Sequence, residues 1–245
     1  MGRSARLLAV AIAVVAASTL TRTSWAGDDC PAEIAGADRF TLVLADSMSA
    51  RKASVSYYQR DGGKAWRATG KPKPAMLGKS GLGWSWAHGA LSGKNEPVKK
   101  EGDGRTPAGF FMLGGAFGSD AGDVPNYTHL KAGEHYCVDE PASPHYNTVV
   151  PKARAGKSVS GEDMARIGLY RQGLFVGYPT NAKRRGGSCI FIHVWRAANK
   201  PTVGCVALAE THVRELQAWS AKSATLIGIL PKSAWERLRH CFPGL

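Results

Sequence analysis

Short apolar, β-branched runs separated by glycine, proline and asparagine dominate the chain. Residues 40–46 (F-T-L-V-L-A-D) predict a first strand. Residues 54–59 and 65–68 flank Asp61-Gly62-Gly63, which predicts a hairpin because Asp-Gly accepts the positive φ of a tight turn. Residues 110–113, 136–139, 190–195 and 225–230 read as further strands, and 169–178 as a second hairpin turning at Gln172-Gly173. Residues 160–167 read as a short helix, with Ser160 near its N-cap and Glu162 and Asp163 in its first turn. Residues 210–222 carry Val213, Leu216 and Trp219 on one helical face. Residues 114–126 and 141–151 read as loops. The pattern predicts a mainly β domain with one or two short helices.

Composition adds a compartment. Residues 1–26 have Arg3 and Arg6 before an apolar stretch, then Ser24-Trp25-Ala26, which predicts a secretory signal cut after Ala26. The apolar stretch is short for a bilayer span, which takes ~20 residues. The expected product is periplasmic or secreted, with no stable membrane insertion after cleavage. Residues 27–39 then form an N-terminal segment, 40–230 the main domain and 231–245 a C-terminal extension. Removing Arg3, Arg6 and Arg22 with the leader lowers the formal charge from +13 to +10. A basic surface suits an anionic partner, and export argues against nucleic acid.

Five cysteines leave one unpaired in an oxidising compartment. Cys205 is the expected free thiol. Cys30, Cys241, Cys137 and Cys189 are disulfide candidates with three possible connectivities, of which Cys30–Cys241 would tie the chain ends and leave Cys137 to Cys189. No Cys-x-x-Cys or His-x-x-x-His spacing suggests a metal, and none is expected.

Residues 188–208 concentrate the chemistry. His193 lies in an apolar strand, Asn199-Lys200-Pro201 breaks it, and Gly204 directly precedes Cys205. Two antiparallel strands joined there would put His193 beside Cys205. A neighbouring imidazole can take the thiol's proton and hold the charge, which predicts an activated thiolate nucleophile. The Gly204 and Cys205 amides are the candidate oxyanion hole. Arg105 and the basic loop 181–187, with Lys183, Arg184 and Arg185, are candidate contacts for peptide carboxylates. Trp195 and Thr202 complete the substrate-binding candidates. The stretch 70–93, with Trp84, Trp86 and His88, fits either a groove wall or the edge of the core. His145, in the 141–151 loop, is a candidate supporting group.

The segment resembles the signature of the YkuD-type L,D-transpeptidases, a strand histidine followed by Ser/Thr-x-Gly-Cys, here His193, Thr202, Gly204 and Cys205. Upstream, Glu101-Gly-Asp-Gly-Arg-Thr-Pro-Ala-Gly-Phe110 resembles the family's G-x-x-x-T-P-x-G segment. Val203 stands where many members have a second histidine, Ala207 where many have arginine or asparagine, and the His193–Cys205 interval is short, which marks a divergent branch. The resemblance implies a YkuD-like β-sandwich of mixed sheets and an exported acyltransferase that needs no cofactor. Cys205 would form a thioester with a donor peptidoglycan stem and pass it to an amine of an acceptor stem, giving 3-3 cross-links or, from an L-Ala donor, 1-3 cross-links. His193 would serve as general base and acid. The alternatives are an L,D-carboxypeptidase or endopeptidase, and a non-catalytic wall-binding module.

Overall fold

The computed structural model describes residues 30–245; the expected leader at 1–26 lies outside the described residues. The strands are β1 (Arg39–Ala45), β2 (Lys52–Gln59), β3 (Arg67–Met76), β4 (Leu82–Trp84), β5 (Thr106–Gly118), β6 (Thr128–His129), β7 (Tyr136–Val138), β8 (Val149–Val150), β9 (Gly161–Asp163), β10 (Gly173–Val176), β11 (Phe191–Val194), β12 (Val206–Leu208) and β13 (Thr225–Pro231). The helices are α1 (Lys152–Ala155), α2 (Glu210–Ser220) and α3 (Lys232–Leu238), with short 3-10 turns between elements. The molecule is mainly β, as its patterning predicts.

The larger sheet runs β10-β11-β12-β3-β2-β1-β13-β5-β4, and β10 also pairs with β5, so the sheet closes into a barrel-like ring. A second sheet, β8-β7-β9, stands apart. β1 pairs parallel with β13 and antiparallel with β2. Every residue of β13 is buried, as expected for a strand covered on both faces. Phe40, Phe110, Trp235 and Phe242 stack together, with the Phe40 and Phe242 rings 4.3 Å apart. Residues 231–245 thus pack into the main core through α3 and Phe242. Disulfides join Cys30 to Cys241 and Cys137 to Cys189, leaving Cys205 as the free cysteine among the described residues.

Four local expectations are corrected. The strands carrying His193 and Cys205 are parallel, not antiparallel: His193 sits opposite Ala207. The linking segment does not turn as a hairpin, because Thr202 bridges to Gly78 at its far side. Residues 114–118, expected as loop, extend β5; a Cβ on Gly114 would lie 2.9 Å from Cβ of Phe175, so glycine there permits the close approach of β10. Residues 160–167 are not a helix. Gly161–Asp163 adds β9 to the edge of β7, and only Met164–Arg166 turns as 3-10. Residues 169–178 are not a hairpin but a 3-10 turn, Gly168–Arg171, feeding the single strand β10. Tyr170 ends up buried against Phe117 and Phe191, which fixes that turn from within. Gly173, opposite His193 in the ladder, has no room for a side chain: a Cβ would lie 2.4 Å from the Phe117 ring.

Candidate active site

Cys205 precedes β12 at the floor of a cleft of about 250 Å3 that is also lined by Lys79, Lys99, Glu101, Asp139, Glu162 and Ser188. Its backbone is clamped from two directions. The hydroxyls of Thr106 and Thr202 both donate to the Cys205 carbonyl, at 3.1 and 2.7 Å. Thr106 opens β5, so the T-P-A-G and T-V-G-C segments, far apart in sequence, meet on one carbonyl.

The sulfur is buried. Its S–H donates to the Cys189 carbonyl and it accepts from the Phe191 N–H, both at 3.4 Å. Burial pushes the thiol up to about 12, and the nearby Glu162 carboxylate adds to the effect; Lys99 works against it. The expected activated thiolate does not match this environment, which favours the neutral thiol near pH 7. Removing a thiolate from water costs more than the surrounding donors return.

His193 is 5% exposed on β11, with Nδ1–H donating to the Val194 carbonyl at 2.8 Å. That bond supplies the orienting partner of the ring and leaves Nε2 as the basic nitrogen. Burial lowers the imidazole to about 4, opposed by the Val194 carbonyl, so the ring is neutral near pH 7 and able to accept a proton. Among the described residues no hydrogen bond joins His193 to the Cys205 sulfur. Tyr170 is near both: its ring meets the His193 ring edge-on at 5.3 Å, and it shares a buried cluster with Cys205. Its hydroxyl donates to Glu162 Oε2 at 2.7 Å.

The expected oxyanion hole is only half available. The Gly204 N–H donates to the Thr202 hydroxyl at 3.1 Å, which engages it inside the loop. The Cys205 N–H meets no acceptor among the described residues and is the amide left for a developing oxyanion.

The remaining candidates fall into different places. Thr202 builds the loop around Cys205 through the bonds above. Arg105 does not line the cleft; its guanidinium donates to the carbonyls of Ser80 and Leu82, at 2.6 and 2.9 Å. Arg185, in the left-handed region at φ 50°, caps the 3-10 turn Ala182–Arg184, and its carbonyl accepts from the Glu101 N–H; its exposed side chain is not on the cleft wall. Trp195 is half-buried beyond β11 and also lies off the cleft. Trp84 is a core residue whose Nε1–H donates to Glu96, and His88 is buried beside Phe111. His145 contributes only backbone near the site, whereas its neighbours matter: Tyr146 donates to Glu101 and Asn147 accepts from the Cys189 N–H. Cys189 itself is held at φ 54°, a conformation a non-glycine residue adopts at a cost. Cys30, Cys241 and His240 approach one another, but the two sulfurs are joined and offer no thiolate to a metal.

Glu101, Glu162 and Tyr170 are the site residues that sequence reasoning missed. Glu101 stands directly before the upstream G-x-x-x-T-P-x-G motif, and that position is the one signal that could have drawn attention to it. Glu162 and Tyr170 carry no local signal; β9 and the following 3-10 turn bring them in.

Residues 48–229 match the family described as YkuD, the L,D-transpeptidase catalytic domain. No curated protein matches the chain. The solved structures it resembles include the helical cell shape determining protein Pgp2 from Campylobacter jejuni, at 18% identity and a TM-score of 0.39, covering 80% of this chain and 49% of that one. A single-residue variant of the same protein gives 18% identity and a TM-score of 0.38, covering 80% and 48%. The chain spans about half the length of these structures. With the match covering most of its length, the chain belongs to the YkuD family of L,D-transpeptidase catalytic domains.

Proposed function

We propose that the protein is an exported peptidoglycan L,D-transpeptidase working through a Cys205 thioester. The observation that carries this reading is the free thiol at the floor of a cleft, next to a backbone amide without an acceptor among the described residues, with a neutral, oriented imidazole on the neighbouring strand. The Cys205 sulfur attacks a carbonyl carbon of the donor stem, with its proton passing to the His193 side of the site. The Cys205 N–H holds the tetrahedral oxygen. The peptide C–N bond then breaks, and the departing amine takes a proton from His193. An amine of the acceptor stem attacks the thioester carbonyl and gives a proton to His193, the C–S bond breaks, and that proton passes to the departing sulfur. No described helix is long and apolar enough to cross a membrane, and the reading places the mature chain in the periplasm or outside the cell.

The test is mass spectrometry of purified muropeptides incubated with the mature protein and with Cys205→Ala. New dimers that require Cys205 are expected, and fragmentation identifies the donor carbonyl as 3-3 or 1-3. Shortened monomers without dimers would replace the transferase with a carboxypeptidase. No Cys205-dependent change with any stem would overturn the enzyme reading.

A further inference from the structure

We propose that Glu162 is an electrostatic gate on the Cys205 cleft: its carboxylate, pinned by the Tyr170 hydroxyl in the same cleft, disfavours added negative charge there and favours donors that bring a cation beside the reacting carbonyl. The proposal rests on the reading of Cys205 as nucleophile and adds the charge that its substrate must carry.

The geometry begins at the register of β9 on β7, which sets Glu162 opposite Cys137. From there its side chain lines the same cleft as Cys205. One oxygen accepts from Tyr170 at 2.7 Å, so the carboxylate is fixed rather than free to swing into solvent. Tyr170 is itself held by aromatic contacts with Phe117, Phe191 and His193. Burial raises the Glu162 carboxyl and the Tyr170 bond counters this. Around them the cleft sets three carboxylates, Glu101, Asp139 and Glu162, against two lysines. Lys99 is committed to Asp103 at 2.7 Å, and Glu101 is engaged by Tyr146 and Ser188. A chain of formal charge +13 therefore keeps an acidic spot over its own thiol. A carboxylate that shares a partly dry cleft with a sulfur opposes a second negative charge there and attracts a cation. An incoming ammonium paired with Glu162 removes that opposition at the moment the donor is seated.

Charge-varied thiol reagents test this at fixed pH. A methanethiosulfonate forms a disulfide with Cys205; its S–S bond breaks, methanesulfinate leaves and the thiol proton goes to buffer. Relative to their rates on free cysteine, the aminoethyl reagent is expected to modify the wild type about tenfold faster than the neutral methyl reagent, a difference of about 1.4 kcal/mol. Glu162→Gln keeps an acceptor for Tyr170 and removes only charge. It is expected to bring that ratio close to one and to quicken reaction with neutral iodoacetamide. Tyr170→Phe, which keeps the carboxylate, is expected to retain the cationic preference. A wild type without the preference overturns the gate even if the glutamine variant does not fold, and so does a preference that survives in a folded Glu162→Gln. Muropeptide turnover without the preference sinks the gate alone, whereas the preference without turnover sinks the transpeptidase reading and leaves the gate standing.

Discussion

His193→Asn is expected to slow acyl transfer by about 10^2 to 10^4, the usual contribution of a positioned acid–base group. Asparagine can still donate toward the Val194 carbonyl but offers no basic Nε2. Single-turnover kinetics with a muropeptide donor measure the effect, and a rate within threefold of wild type would remove His193 from the mechanism. The same variant carries a stability signature that a bystander at the surface would lack. In the fold the imidazole lies at about 4, against 6.5 as its ordinary value. A depressed value means the unfolded chain binds the proton first. The stabilisation is fully present above pH 6.5 and is lost as pH falls toward 4. The gap corresponds to about 3 kcal/mol. Urea denaturation of the wild type between pH 7 and pH 4 is expected to show this loss on top of whatever the carboxylates contribute. His193→Asn is expected to lack that component, and identical pH slopes for the two proteins would contradict the burial described for the ring.

Removing the Cys30–Cys241 bridge, as Cys30→Ser with Cys241→Ser, is expected to cost about 5 kcal/mol by the chain-entropy estimate for so long a loop. The bridge closes 211 residues of sequence separation, nearly the whole described chain. It also anchors the segment after α3, where Phe242 is fully buried against Phe40 and Trp66. Loosening that segment uncovers the aromatic stack under β1 and β13. Chemical denaturation followed by tryptophan fluorescence reports it directly, since Trp66 and Trp235 border the stack. A loss under about 1 kcal/mol would mean that packing alone holds the C-terminal segment. The catalytic cleft lies elsewhere in the fold, so the fraction of molecules still folded is expected to keep wild-type reactivity at Cys205.

The strands visible in the sequence were those whose apolar alternation is local. β1 and β13 carry mostly apolar runs rich in Leu, Ile and Val, and the β2–β3 hairpin carries its own Asp-Gly turn. The face of α2 was legible for the same reason. The direction of β11 against β12 was not. Parallel strands ordinarily need a crossover of a dozen or more residues, and the eleven residues between His193 and Cys205 fall just short of that and carry no helix pattern. What permits the parallel arrangement is a contact at Gly78, far upstream. β9 failed for a related reason: Gly161-Glu162-Asp163 has the composition of a helix start, and only the open edge of β7 turns it into a strand. The thiol and the imidazole could be found because their chemistry is written in residue type. Their partners could not, because Glu162, Tyr170 and Asn147 reach the site through sheet register and side-chain bonds that no spacing encodes.

The carbonyl that receives the Cys205 S–H belongs to Cys189, one half of the Cys137–Cys189 bridge. All three cysteines share one buried cluster. A free thiol in such company threatens to shuffle the bridge, because thiol–disulfide exchange proceeds by thiolate attack on a neighbouring sulfur. A sulfur raised to about 12 presents almost no thiolate near neutral pH. The burial that silences the nucleophile between turnovers therefore also keeps it from scrambling the bridge that forms its wall, and a mature protein can hold one reduced cysteine among oxidised ones without a separate guardian.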